Sequence, residues 1–144
     1  MKKSKRIKIY NNILSDIKSE GIRVHHRKLR CGGDYSPDDL RININKEYRW
    51  TLCGCYILCH EFIHHKQYIS GDFEEFFSMR HGEDFSDDKM KMVLDAEYDA
   101  VSRGVKMMAI YGISDYKAYE LDPEYKIECI NYWKREYFNH ASFK

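Results

Sequence analysis

Between Leu52 and Ile63 the chain reads LCGCYILCHEFI, an apolar run in which Glu61 is the only acidic residue. A carboxylate in so apolar a segment costs several kcal/mol unless something compensates it. The neighbouring residues name a compensation: His60-Glu61-Phe62-Ile63-His64 is an HExxH motif. On a helix, imidazoles four residues apart share one face and both reach a single metal ion. Glu61 is then offset along the helix, near enough to act on water at the metal without being a ligand. That is the ligand-and-base pattern of a zinc hydrolase. The competing reading is a structural core in which Glu61 pairs with His65, one turn on.

At 144 residues the chain is expected to form one domain, 1–144, with a real core. A net charge of +1 gives no global electrostatic case for nucleic acid or a membrane surface. The basic start, MKKSKRIK, reads as a solvated and partly frayed terminus. No apolar run approaches the roughly 20 residues that span a bilayer, and the start lacks the apolar core of a secretory signal. The expectation is a cytoplasmic protein with no membrane partner. Five cysteines, Cys31, Cys53, Cys55, Cys59 and Cys129, are odd in number and irregular in spacing. This argues against a disulfide framework and fits a reducing compartment. Cys53, Cys55 and Cys59 raise a thiolate zinc site, but they form no C-x-x-C and no second pair follows. They read as core packing.

Along the chain, residues 5–20 set Ile7, Tyr10, Ile13, Leu14 and Ile17 on one stripe, and Gly21 ends the pattern, so a first amphipathic helix is expected. Alternation begins at Ile22. Residues 31–39 read as loop. Leu40 to Asn45 alternates as a half-buried strand. An antiparallel sheet or hairpin is expected, its last strand an edge that receives extended peptide. The HExxH helix is expected from Trp50 or Thr51, a plausible N-cap, to about Tyr68. A short helix over 73–80, a long one from Ser86-Asp87-Asp88 to about Tyr111, and a last one opened by Asp122-Pro123-Glu124 follow. The last carries the stripe Ile127, Ile130, Trp133, Tyr137 and Phe138. The fold class is α+β, mainly helical, with a small antiparallel sheet packed on the HExxH helix.

A catalytic zinc takes three protein ligands and a water. The long helix offers Asp95, Glu97 and Asp99, which helical register separates. Glu97 shares its face with Leu94, Ala100, Val101, Gly104 and Met108, whereas Asp95 and Asp99 share theirs with Asp88, Lys91, Arg103 and Lys106. An acid on an apolar stripe needs a partner, and a metal ion is the natural one. Ala100 and Gly104 let this helix approach the HExxH helix closely. His81, in a polar loop after the motif, is the rival ligand. His25, His26 and His140 have nothing local to recommend them.

HEFIHHKQ followed by a helix bearing EYDAVSRGV resembles the zincin superfamily, and within it compact gluzincins including the ImmA/IrrE-type peptidases. There a glutamate in an E-x-x-A pattern on the next long helix joins the HExxH histidines; Glu97 and Ala100 match it. The gap to the glutamate is longer here, and there is no obvious proline-containing segment directly after that helix. His81-Gly82-Glu83-Asp84-Phe85 gives a second resemblance, to SprT-like proteases, in which a histidine in an H-G-x-x-F context follows HExxH; their Cys-rich zinc ribbon is absent. Both resemblances imply a zincin-like fold and peptide-bond hydrolysis, with different third ligands.

The expected activity is therefore that of a zinc metallopeptidase acting on a protein or peptide. His60, His64 and Glu97 hold Zn²⁺, and Glu61 is general base. Tyr98, Tyr111 and His140 are candidates for a second oxyanion donor. Two alternatives stand beside it. One is a non-enzymatic zinc-stabilised module that binds a protein partner, for which the cysteine cluster speaks. The other is a DNA-associated protease using His81, for which the basic N-terminus and the SprT-like resemblance speak.

Overall fold

The computed structural model describes residues 1–143; Lys144 lies outside the described residues. Helix α1, Lys3–Ser19, buries Ile9, Tyr10, Ile13 and Ile17, close to the expected stripe. Three short strands follow: β1, Arg23–Arg27; β2, Gly33–Ser36; and β3, Arg41–Asn45. Then come α2, Leu52–Ser70, which carries the HExxH motif; the single-turn α3, Glu74–Ser78; α4, Asp87–Ile110; and α5, Pro123–Glu136. The fold is mixed α/β and mostly helical. No described helix is long and apolar enough to cross a membrane.

The helix starts follow their sequence signals. The Thr51 hydroxyl accepts from the Gly54 N–H at 2.9 Å, Ser86 caps α4 through the Lys89 N–H at 3.1 Å, and Asp122 caps α5 ahead of Pro123. Each satisfies a backbone donor that the first helical turn leaves free.

The sheet departs from expectation in three ways. Its order is β1-β3-β2, with β1 parallel and β2 antiparallel to β3, so it is mixed rather than antiparallel. The span read as loop, 31–39, contains β2. The strand expected at an edge, β3, is central, and the free edge beside α2 belongs to β2. Burial explains the last point: both faces of Ile42–Asn45 are covered, as a central strand requires. In α5 the expected stripe also shifts. Ile127 is 64 % exposed, and Cys129 is the helix's buried residue.

Helix α2 is the hub, touching α1, β2, β3 and α4. Two apolar clusters flank it. One joins α1, the inner sheet face, α2 and Val101 and Met108 of α4. The other joins Met90, Val93 and Leu94 of α4 to Cys129 and Phe138. Helix α4 passes from one cluster to the other across residues 95–100, and Glu97 lies in that crossing. The approach of α4 to α2 is set by Gly104: a Cβ there would stand 3.3 Å from His60 Cα and 3.4 Å from His60 N.

Gly104→Ala is therefore expected to stay within about 1 kcal/mol of wild-type stability, its better helix propensity set against a tight contact. Gly104→Val, which must part the helices, should cost about 1–3 kcal/mol. Urea denaturation of both variants measures the difference.

Candidate metal centre

His60, Glu61 and His64 follow one another around the buried middle of α2, and Glu97 faces them from α4. The two imidazole Nε2 atoms are 3.2 Å apart. Glu97 Oε2 is 3.3 Å from His60 Nε2, and Glu97 Oε1 is 3.3 Å from His64 Nε2. Two donors each about 2.0–2.1 Å from one ion, at a tetrahedral angle, stand about 3.3 Å apart. The spacing of the two rings matches that value, each Glu97 oxygen stands at it from one ring, and one donor atom from each residue falls within 4.8 Å of the others, so His60, His64 and Glu97 can hold a metal ion.

The outer ring nitrogens of both histidines are engaged. Gln67 is fully buried, and its amide donates to Ala96 O at 2.9 Å and to Asp99 Oδ2 at 2.8 Å. Its Oε1 therefore faces His64 Nδ1, 2.9 Å away, and that nitrogen must donate. In the neutral imidazole this leaves the Nε2 lone pair pointing at Glu97. The Tyr56 hydroxyl stands 3.1 Å from His60 Nδ1, with the Glu120 carboxylate beside it. Such contacts fix the ring orientations and would leave the Nε2 atoms free for an ion. Phe76 and Phe77 pack against the His64 ring from α3.

Charge in the cluster is tightly coupled. Burial works against a cation at His64, yet the Glu97 carboxylate overcomes it and raises the imidazole above its usual range. Burial works against the anion at Glu97, and the imidazoles of His64 and His60 hold it well below the usual carboxylate range. Glu61 shows the opposite outcome. Burial dominates and raises it, the two imidazoles pulling it down and Glu97 and Asp34 pushing it up. It is 8 % exposed and has no side-chain hydrogen bond or ion pair among the described residues. His65 is not its partner: that ring bonds the Tyr35 hydroxyl at 2.8 Å.

All four residues open into a cleft of about 1280 Å³ walled by β2, α3 and α5. Its β2 wall lies directly on α2. A Cβ at Gly33 would meet Ile57 Cγ2 at 2.7 Å and stand 3.7 Å from Glu61 Cγ. His81 lines the cleft but packs at a tilt against Tyr137, with centroids 4.1 Å apart, and is not among the metal-capable group. The three oxyanion candidates lie outside the cleft lining. Tyr98 packs in the second apolar cluster, Tyr111 donates to Asp16, and His140 bonds Arg135 O. Tyr125 and Tyr132 on α5 line it instead. Cys55 and Cys59 belong to the apolar core and Cys53 lies beside Tyr116, so none of the three joins the metal-capable group. Asp99, assigned to the solvated face, is half-buried through Gln67 and Arg103.

Tyr56 and Gln67 are not among the residues expected from the sequence. Both sit at helical spacing from a motif histidine, four before His60 and three after His64, which is the available signal for them.

The protein is expected to bind one divalent metal ion per chain, and Glu97→Ala to lose it. Gln67→Leu should keep the fold's ligands but weaken affinity about 10–100-fold, the usual loss when an outer partner of a ligating histidine is removed. Competition against a chromogenic chelator measures both. The chain matches no protein-family model, no curated protein and no solved structure.

Proposed function

We propose that this protein is a zinc-dependent peptidase of zincin-like fold that cuts peptide bonds in a protein or peptide substrate. The reading rests on one observation: an unpaired, buried Glu61 lies beside three convergent donors, His60, His64 and Glu97, on the wall of an open cleft. Two imidazoles and one carboxylate suit zinc, with a position left for water. Bound there, the ion supplies a Lewis acid that acidifies water toward pKa ~7 and polarises a carbonyl.

The chain's own groups do the rest. Glu61, raised by burial, takes a proton from the attacking water as the new C–O bond forms, then delivers it to the departing amine as the C–N bond breaks. Gln67 and Tyr56 keep the two rings aimed through that cycle. The free edge of β2, rather than the Leu40–Asn45 strand that the sequence suggests, offers backbone donors and acceptors to an extended substrate. Tyr125 and Tyr132 supply phenols to the opposite wall for the developing oxyanion.

Glu61→Gln should keep one zinc per chain and lose cleavage of an unstructured protein by at least about 10²-fold. Cleavage rates paired with metal content decide this. A variant that keeps both metal and activity would remove Glu61 from the mechanism.

A further inference from the structure

We propose that the cleft selects cationic segments of its substrate, those bearing lysine or arginine; this rests on the peptidase reading above. Six carboxylates line the cleft: Asp34, Asp38, Glu61, Glu97, Glu120 and Glu128. The whole chain carries a net charge of +1, so this concentration is not a reflection of composition. The one guanidinium on the lining, Arg135, is already paired with Glu136 at 2.8 Å. A bound divalent ion offsets only two of the charges.

Outside the cleft several acids meet a lysine or arginine: Asp39 with Arg41, Glu20 with Lys66, Glu83 with Lys89, Asp95 with Lys91 and Asp99 with Arg103. Among the described residues, none of the six cleft carboxylates has a lysine or arginine partner; Glu97 is held instead by the imidazoles of His60 and His64. With Glu97 set aside for the ion and Glu61 as the base, Asp34, Asp38, Glu120 and Glu128 carry the negative charge that remains on the walls. Low-dielectric walls of one sign focus the field on the space between them. The α5 wall adds the rings of Tyr125, Tyr132 and Trp133, and an aromatic face attracts a desolvated ammonium or guanidinium. Carboxylates and π-faces together describe a receptor for basic side chains threaded along β2.

The test uses zinc-loaded Glu61→Gln protein and two fluorescent peptides of equal length on an alanine-glycine-serine background, one with interspersed arginines, the other with glutamates. Fluorescence anisotropy should show the arginine peptide binding at least about tenfold tighter at low salt, with the preference shrinking as salt rises. Adding Asp38→Lys and Glu128→Lys, both at exposed positions on opposite walls, should retain zinc and remove most of the preference. Wild-type protein given a mixed peptide library should cut beside lysine and arginine. Equal binding of the two peptides, tighter binding of the glutamate peptide, or binding of neither overturns the proposal, as does cleavage with no basic preference. Selective binding of the arginine peptide with no cleavage of any peptide strikes the peptidase reading alone and leaves the cationic selectivity standing.

Discussion

The contact between α2 and α4 is what the rest of this molecule depends on. Two helices with ordinary side chains between them pack 8–10 Å apart. Here Gly104 sits against the His60 backbone, and Ala100 lies one turn before it. Small residues at that crossing bring the Glu97 carboxylate within 3.3 Å of both imidazoles. Gln67 spans the same gap and spends all three of its polar contacts on it, two to α4 and one to His64. Helix packing and donor geometry are therefore one arrangement. The residues that space the helices also aim the rings.

Much of this was legible in the sequence. Hydroxyl and carboxylate caps at Thr51, Ser86 and Asp122 mark helix starts because they satisfy free backbone donors, a local effect that needs no tertiary context. Glu97 could be separated from Asp95 and Asp99 because a 100° step per residue puts it alone on the apolar face of α4. The small residues at Ala100 and Gly104 announced a close approach on that face.

The sheet was not legible in the same way. Period-two alternation says which face of a strand is buried and nothing about the direction of its partner. Thus β1 and β3 looked like hairpin arms, whereas they run parallel with β2 outside β3. The strand β2 was hidden because Gly32 and Gly33 read as turn residues. Their lack of a side chain serves packing instead, letting the strand lie against Ile57 of α2. Tyr56 escaped notice because a tyrosine in an apolar helix looks like core, and its contact with His60 shows only once the ring nitrogens are assigned. Ile127 failed for the opposite reason. The α5 stripe was drawn through the bulkiest residues, while the helix turns Cys129 and Trp133 inward.

The bridge from Gln67 to Ala96 and Asp99 has a consequence for how the helices select their register. Sliding α4 by one residue along its axis displaces Glu97 by about 1.5 Å. Metal–ligand bonds tolerate only about 0.2 Å. An ion seated between these helices would therefore act as a vernier, favouring one of the several alignments that apolar packing alone would accept.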